Sequence, residues 1–556
     1  MAGEDPNRSE FIAPRLTRLI EVAGDLEGSA RARWIEFRGF TFEHSAATGG
    51  YVALRTPADA AIRLNGAWKC TIANNRFRNI DAYGIWLHLD SCENTIDGNT
   101  IEHMGGGGVV LTSARAAYGQ VYDLRPAVAN YAPLRNRFLR NHIHHGGEVR
   151  LCSAGFLLDS RPISTALDPG NLIAFNYVHD MKRQGIFAFQ NQGGNVVAYN
   201  RFENVVTDSA DAGAINFALM NNVTAPLWIT HNVVDGVTGL LRQSEGVFEY
   251  FAGVGIYLDW GTSHSRVDDN VVSNTRFASV LVNGGSWNWF ENNIFRDDSR
   301  SLLMTPDGEA IGLGHRFTRN ILANTTARSS PLWLLPLEMP RHLAQGTPFV
   351  KSDRNLFWNA GGPIALTPAG TLEQWQKAGM DRNSIAADPK FAAATKDVAL
   401  RPDSPAHALG FRDIDIRNVG PGATIEEKTL AALDPTRLAV AHAIVRYPSG
   451  TAPRTAAADA NPRFSKSAQY MVYVRFAEKN PNRSVAFSIR HKGGTTRTTL
   501  VERLLLGRVP DPRWGIYLGA YDFAAGDGQG VTVTWDAAKQ GSMPEEILYV
   551  EKKWID

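Results

Sequence analysis

Residues 255–270 read GIYLDWGTSHSRVDDN, and the same pattern recurs along the chain. Gly-Ile opens and Asn closes both GIWLHLDSCENTIDGN at 84–99 and GIFAFQNQGGNVVAYN at 185–200, with the same interval of 15 residues. The second halves of these stretches match further segments, so that one asparagine recurs at 75, 99, 141, 176, 200, 232, 270, 293, 320 and 355. The shortest intervals are 23 and 24 residues, and the longer ones indicate the same unit with an inserted loop.

A unit of about two dozen residues, made of short alternating strands, predicts a solenoid. The consensus of leucine-rich repeats is missing. Stacked coils of parallel strands explain both the alternation and the asparagine, whose amide would bond to its counterpart in the next coil at a tight turn. We therefore predict an all-β chain that forms a right-handed parallel β-helix of about ten coils or more and then a small β-sandwich.

The composition along the chain predicts five segments. Residues 1–32 form an N-terminal segment or cap, and 33–365 form the β-helix. Residues 366–445 contain short helical stretches and turn signals and are expected to cap the solenoid, which otherwise ends in unpaired strand edges. A Pro-, Ala- and Thr-rich linker is expected at 446–465, and the alternating strands of 466–556 predict an accessory β-sandwich module.

Charge and cysteine content narrow the function classes. The formal net charge of +1 argues against a nucleic-acid-binding surface. The chain has no apolar run of about 18 residues, so no contact with a membrane is expected. The opening MAGEDPNRSEF is polar and predicts no signal peptide. Cys70, Cys92 and Cys152 lack metal-ligand spacing and are expected to be buried thiols, and neither a metal nor a cofactor is predicted.

Long insertions are expected at about 112–134, 148–170, 208–228 and 236–254, and three of these four lie between residues 148 and 254. Loops that interrupt a solenoid usually carry its binding site. Asp211, in TDSADAGAINFA, and Asp259 belong to successive coils, because only Asn232 of the repeat lies between them. Paired carboxylates about 5 Å or about 6.5–9.5 Å apart are what retaining and inverting glycoside hydrolysis need. If Ile215 and Ile256 are in register, a straight strand holds the two aspartates too far apart, so the chain must turn sharply near DAGA.

Asp211 and Asp259 are therefore the candidate catalytic residues, one as acid with a raised pKa and the other as base or nucleophile, in an order that the sequence leaves open. Asp259 points outward with Tyr257, while Ile256 and Leu258 point inward. The candidate substrate-binding residues are His179, Asp208, Glu249, Tyr257, Trp260 and His264. Structural alternatives stay open, since an aspartate at a β-helix corner can simply cap backbone N–H groups and a tryptophan can shield a strand end.

SDAGAI, GIYLD-x-G-x-S and the closing DPKF…LRPDSPAHALGF resemble the β-helix glycosidases near glycoside hydrolase family 141, over about residues 1–420. The resemblance implies fucosidase or xylanase-like chemistry by two aspartates, here Asp211 and Asp259, and a location outside the cytoplasm. It also implies that the natural N-terminus is longer. Asn216 stands where an aromatic residue is more usual. The C-terminal strands resemble golvesin-like β-sandwich modules.

Three functions are consistent with these observations. The first is a glycoside hydrolase acting on a carbohydrate by paired carboxylates. The second is a polysaccharide lyase, which needs a cation or metal for a uronate carboxylate and a base, and for which cationic side chains stand near in the chain: Lys182, Arg183, Arg242 and Arg266. The third is a non-catalytic carbohydrate-binding solenoid, in which Asp211 and Asp259 could be replaced without loss of binding.

Overall fold

A computed structural model describes most of the chain. The described residues are 12–46 without 27 and 29, 59–113, 132–150, 153–159, 170–189, 193–305 without 221, 223–224, 245 and 299, 314–335, 350–392 without 368–369, 398–446 without 439 and 441, 455–460, 462–476, 484–501, 516–536 and 544–552.

Short parallel strands stack coil upon coil into three long sheets of 13, 11 and 12 strands. The strands of each coil enter the three sheets in turn, so that strands adjacent within a sheet belong to successive coils. This architecture confirms the predicted parallel β-helix. The stack begins before residue 33, because the strand Ile20–Ala23 already pairs in parallel with Ala60–Asn65.

The strands of the first sheet are Ile20–Ala23, Ala60–Asn65, Tyr83–His88, Val109–Thr112, Ala154–Asp159, Gln184–Phe189, Ala212–Ala218, Gly253–Asp259, Ala278–Val282, Ser301–Met304, Trp333–Leu334, Ala365–Thr367 and Gly370–Thr371. The second sheet contains Glu36–Arg38, Thr71–Ala73, Thr95–Asp97, Arg137–Leu139, Leu172–Ala174, Val196–Ala198, Leu227–Thr230, Ser265–Asp268, Trp289–Glu291, His315–Thr318 and Val350–Asp353. The third contains Thr41–Ser45, Arg76–Ile80, Thr100–Met104, His142–Gly146, Tyr177–Met181, Arg201–Val205, Val233–Val237, Val271–Thr275, Ile294–Arg296, Ile321–Asn324, Leu356–Asn359 and Ile385–Ala386. Ala32–Arg33 pairs with Ala67–Trp68, and Leu240–Ser244 forms an antiparallel hairpin with Val247–Tyr250.

Every coil sends alternate apolar side chains into one continuous core. In the coils that carry the aspartates, Ile215, Phe217, Ile256 and Leu258 lie in this core and are fully buried. Ile215 pairs with Ile256 in the parallel register, as the repeat predicts. Because successive side chains of a strand alternate between its two faces, the residues between them point outward.

The repeated asparagine forms an unbroken ladder at the corner between the second and third sheets. Each Nδ2 donates to the Oδ1 of the asparagine in the next coil over 2.9–3.1 Å, from Asn75 to Asn355. The same Oδ1 also accepts the backbone N–H of the preceding asparagine in the ladder, as between Asn200 and Asn232. The residue before each asparagine has a positive φ, such as His231 or Asp269. This left-handed residue turns the chain sharply at the corner.

A second asparagine ladder stacks at the corner between the first and second sheets, and the sequence reading had not separated it from the first. Its members are Asn94, Asn136, Asn171 and Asn195, joined by the same side-chain bonds.

The helix Leu372–Lys377 closes the C-terminal end of the solenoid. It begins at Leu372 because Thr371 and Gln374 form a capping box, and it buries Leu372 and Trp375 in the solenoid core. The rest of the predicted cap does not cover the end of the solenoid. Residues 398–438, with the helices Pro405–Ala408 and Glu427–Ala432 and the 3₁₀ turn Pro435–Leu438, run back along the outside of the coils. There they cover the apolar outer faces of the third and second sheets, with Phe411 packed near Val271 and Leu433 near Phe175.

Two four-stranded antiparallel sheets form the predicted β-sandwich. One contains His442–Arg446, Pro544–Glu551, Ala468–Phe476 and Ile516–Phe523; the other contains Thr455–Ala460, Gly530–Asp536, Ser484–His491 and Gly494–Val501. They enclose one core that includes Val472, Phe487 and Val531. Residues 446–465, expected as a linker, include the sandwich strand Thr455–Ala460 and the core residue Phe464. Alanine is uncommon in strands, so the pairing of Thr455–Ala460 with Gly530–Asp536, and not composition, sets this boundary.

Cys70 and Cys92 are buried free thiols, as expected, and Cys152 lies outside the described residues. Of the helices that the structure describes, none has the length and apolar character to cross a membrane.

Candidate active site

Asp211 and Asp259 belong to adjacent strands of the first sheet. Asp259 is the last residue of Gly253–Asp259 and pairs in register with Ala218, while Asp211 directly precedes Ala212–Ala218. Because Ala212 pairs with Gly253, a straight ladder would hold the two aspartates about 23 Å apart along the strand direction. A direct pair is therefore possible only if the chain bends.

The chain bends at Asp211–Gly213. Asp211 adopts a positive φ of 51°, which aspartate tolerates better than most residues. A Cβ added to Gly213 would lie 3.0 Å from the Cβ of Tyr257, although the register partner of Gly213 is Val254. The start of the strand therefore folds over Tyr257, and the missing side chain of Gly213 permits this approach. The sharp turn that the sequence required near DAGA is present.

Tyr257 lies next to both carboxyl groups. Its hydroxyl donates a hydrogen bond of 3.2 Å to Asp211 Oδ1. Asp259, two residues further along the same strand, also acts on this hydroxyl through its charge. Burial, together with the charges of Asp259 and Asp211, raises the pKa of Tyr257 strongly, so the phenol keeps its proton.

Asp259 is held firmly by one oxygen. Its Oδ1 accepts the backbone N–H of Trp260 at 2.7 Å and Asn283 Nδ2 at 2.9 Å. Burial, which outweighs these bonds, and the charge of Asp211 raise the pKa of Asp259 to about 6. Because Oδ1 already accepts two hydrogen bonds, Oδ2 is the oxygen that can carry the proton. Asp211 is exposed and Asp259 is half-buried with a raised pKa, so two carboxyl groups in unlike surroundings lie near Tyr257.

Apolar surface borders the pair on both sides along the outer face of the first sheet. Toward the N-terminal coils, the partly buried Trp260 lies edge-on to Phe189, with ring centroids 5.8 Å apart, in a cluster that also contains Trp86 and Phe187. Toward the C-terminal coils, Tyr257 packs in a cluster with Leu281. Of these side chains only Trp260 is more than 9% exposed, and a partly exposed indole ring next to polar groups suits the face of a sugar ring.

The strands Leu240–Ser244 and Val247–Tyr250 form a hairpin. It lies beside the turn that presents Asp211, since the backbone N–H of Leu240 donates to the Ser209 carbonyl over 2.6 Å. The predicted residue Glu249 is exposed on this hairpin. Tyr250 and Phe251, at its end, are 55% and 39% exposed, respectively. Large aromatic side chains in such exposed positions indicate a binding surface. Asp208 precedes the turn and is exposed, with its carboxylate 3.6 Å from Lys182 Nζ.

His179 and His264 lie elsewhere than predicted. His179 belongs to the third sheet, where it pairs in register with His144, and not to the first sheet with the aspartates. His264 is a buried corner residue whose Nε2 lies 2.8 Å from the hydroxyl of Tyr473 in the sandwich. Burial lowers the pKa of His264 to about 3, so the ring is neutral. His264 is therefore a contact between the two domains, and no pattern in the sequence predicts it.

Asn283 is a site residue that the sequence reading missed. It follows the strand Ala278–Val282, whose Val282 pairs with Leu258, so it lies beside Asp259 in the next coil. Aligning ASVLVN with GIYLD would have found it, since both strands end in a polar residue at the same place.

The chain belongs to the right-handed β-helix family. The family model described as a right handed beta helix region matches residues 31–122 and 60–327, which together cover more than half of the 556 residues. No curated protein sequence matches the chain.

Several solved structures are similar over part of their length. A glycoside hydrolase is 15% identical with a TM-score of 0.39, covering 52% of this chain and 51% of that one. The surface adhesin PfbA of Streptococcus pneumoniae is 12% identical with a TM-score of 0.38, covering 64% and 76%. XylC in complex with xylose is 12% identical with a TM-score of 0.33, covering 66% and 54%. The chain thus spans about half the length of the first of these proteins, and its function has to be argued from its own site.

Proposed function

We propose that the chain is a glycoside hydrolase that acts on a polysaccharide or oligosaccharide, with Asp259 as the general acid and Asp211 as the base or nucleophile. The observation that carries the proposal is the pair of unlike carboxyl groups near Tyr257: Asp259 is half-buried with a pKa raised to about 6, and Asp211 is exposed. Glycoside hydrolysis needs two such carboxyl groups whose environments separate their pKa values.

Each residue has a distinct role in this mechanism. Asp259 Oδ2 donates its proton to the glycosidic oxygen as the bond to the anomeric carbon breaks. Asp211 either removes a proton from the attacking water or attacks the anomeric carbon itself, and the stereochemistry of the product distinguishes these routes. The Trp260 N–H and the Asn283 amide hold the acid in place through Oδ1, and Tyr257 holds Asp211.

Accessible aromatic side chains beside the pair support a carbohydrate as the substrate. The partly exposed Trp260 borders the acid, and the exposed Tyr250 and Phe251 stand at the hairpin near the base. The resemblance of DAGAI and GIYLD to family 141 is consistent with this assignment. Asn216 is buried, donates to the Tyr257 carbonyl at 3.3 Å, and so supports the backbone that carries Tyr257.

Turnover by two isosteric variants tests the proposal. Purified Asp259→Asn and Asp211→Asn are assayed on a glycan that the parent cleaves, and each is expected to lose a factor on the order of 10²–10⁴ in kcat. Asp235→Asn is the matched control, because Asp235 also lies on a coil strand but in the third sheet, where it accepts from Ser273. Parent-like turnover by either site variant would contradict the catalytic role of that residue.

The lyase alternative has less support in the described residues. The raised pKa of Tyr257 opposes a phenolate base, and Arg183 is engaged with the backbone oxygens of Ala210 and Asp211. Arg266 lies on the second sheet, over the Trp228 ring. An unsaturated product that absorbs in the ultraviolet would establish a lyase, and glycan binding without turnover would establish the non-catalytic alternative.

A further inference from the structure

Three histidines gather on the outer face of the third sheet. His142 and His144 stand on the strand His142–Gly146, and His179 stands on the next coil, directly opposite His144. One ring nitrogen from each residue lies within 4.8 Å of those of the other two. All three are partly exposed, so the cluster is open to solvent.

We infer that His142, His144 and His179 form a binding site for a divalent transition-metal ion of the zinc type. Three points at such separations are each within about 2.8 Å of a common centre, and small side-chain rotations would bring this to the Zn–N distance of about 2.0–2.1 Å. Imidazole nitrogen is a ligand that zinc, copper and nickel prefer, whereas calcium and magnesium require oxygen.

The contact between His142 and His179 supports this inference. Their Nε2 atoms lie 2.7 Å apart. Two ring nitrogens this close require that one carries a proton and the other a lone pair. The lone pair at this contact faces the neighbouring ring, and a metal ion placed between the rings would bind through the two nitrogens in place of the shared proton.

The surroundings of the cluster are those of a metal site. His179 Nδ1 lies 2.6 Å from Asp180 Oδ2, and Asn204 holds the other oxygen of Asp180. A carboxylate on the second ring nitrogen fixes the tautomer and leaves Nε2 for the metal. Glu102 Oε2 lies 3.4 Å from His144 Nε2, within reach of a fourth ligand position. Because the ligands come from two coils, the ion would also fasten the coils to each other.

The sequence alone predicted no metal, since these histidines have no ligand spacing: His144 and His179 are 35 residues apart and become neighbours only through the coil register. The site lies on a different sheet from Asp211 and Asp259, so the inference does not depend on the proposed hydrolase activity.

Metal titration of the full chain tests the inference. The tag-free protein is stripped with a chelator and titrated with Zn²⁺ by calorimetry and with Co²⁺ by visible absorption. We expect one ion per chain, a Tm that rises with Zn²⁺, and ligand-field bands of nitrogen-coordinated Co²⁺. His144→Gln and His179→Gln should each weaken Zn²⁺ binding at least about 100-fold, and Asp180→Asn about 10–100-fold.

His407→Gln is the matched control, because His407 also lies 3.0 Å from a carboxylate, that of Asp413, yet belongs to no such cluster. It should bind Zn²⁺ as the parent does. Parent-like binding by the two cluster variants, or no stoichiometric ion in the parent, overturns the inference. If a cluster variant does not fold, X-ray absorption of the Zn²⁺-loaded parent decides, since fewer than three imidazole ligands would overturn it as well.

Discussion

The coils that end at Asn232 and Asn270 carry two polar arrays with opposite properties. At the corner, the asparagines are fully buried, and their amides bond to one another and to the backbone. On the first sheet of the same coils, Asp211 is exposed, and the pKa of Asp259 is raised to about 6. Neutral amides with complete hydrogen bonding stabilise a fold, whereas a buried carboxyl group with a raised pKa costs stability.

The two arrays also differ in how often they recur. The ladder asparagine occupies the same corner in ten successive coils. The outward position of Asp259 is occupied by Ala218 and Phe189 in the two preceding coils, by Asn283 in the next coil, and by Thr112 and His88 further toward the N-terminus. In a solenoid, a residue type that recurs at one position serves the stack, whereas a position whose residue type changes from coil to coil is free to serve a local function.

The largest expected effect on stability is therefore at the ladder. Asn232→Ala removes the acceptor of the Asn200 backbone N–H and side-chain amide and the donor to Asn270 Oδ1. Each buried group left unpaired costs about 1–3 kcal/mol, so the free energy of unfolding should fall by at least about 3 kcal/mol. Chemical denaturation measures the loss.

Asn383→Ala serves as the control for Asn232→Ala. The Asn383 amide also donates a hydrogen bond, to Asp353 Oδ2 at 2.8 Å, but this contact is exposed. Asn383→Ala should therefore lower the free energy of unfolding by less than about 1 kcal/mol. Equal losses in the two variants would mean that the ladder contributes no more than an ordinary surface contact.

The second expected effect is a gain in stability, whereas the first is a loss. Asp259 has a pKa of about 6 in the folded chain and about 3.9 when unfolded. The native state thus binds more protons between pH 4 and pH 6, and stability falls as the pH rises through this window. Asp259→Asn removes the fall, so above pH 7 the variant should be more stable than the parent by up to about 3 kcal/mol.

Denaturation of parent and Asp259→Asn at pH 4 and pH 7.5 measures this difference. The gain should appear at pH 7.5 and vanish near pH 4, where the parent carboxyl group is protonated. Asp235→Asn is again the control for the replacement itself, because Asp235 lies in the third sheet away from the carboxyl pair. A gain of the same size at both pH values would show that packing, and not the buried charge, separates the two side chains.

Periodicity explains what the sequence could predict. The ladder from Asn75 to Asn355, the register of Ile215 with Ile256 and the outward direction of Tyr257 and Asp259 all follow from a repeat that is visible in the letters. The second ladder, formed by Asn94, Asn136, Asn171 and Asn195, is equally visible in the sequence. Each of its members lies five residues before a member of the first ladder, and the repeat was described by the first ladder alone.

Contacts that break the period could not be predicted in the same way. The proximity of Asp211 to Tyr257 depends on a backbone bend at Gly213, and the histidine cluster depends on side chains that happen to face each other across coils. His264 was assigned to substrate, yet it contacts Tyr473, 209 residues later. Docking of one domain on another leaves no periodic trace in the sequence.

The smallest expected effect concerns the pH at which the proposed acid works. Asn283 donates to Asp259 Oδ1 and thereby lowers the pKa of Asp259 against the effect of burial. Asn283→Ala removes this bond, so the pKa should rise above about 6 by a fraction of a unit to about one unit. Because a general acid works only while protonated, the alkaline limb of the kcat/KM profile should move to higher pH by the same amount. The profile is measured on a glycan that the parent cleaves, with Asn383→Ala as the control that should keep the parent limb. A shift to lower pH would mean that another group sets the limb, and Asp259 would then lose the role of acid even if its replacement abolishes turnover.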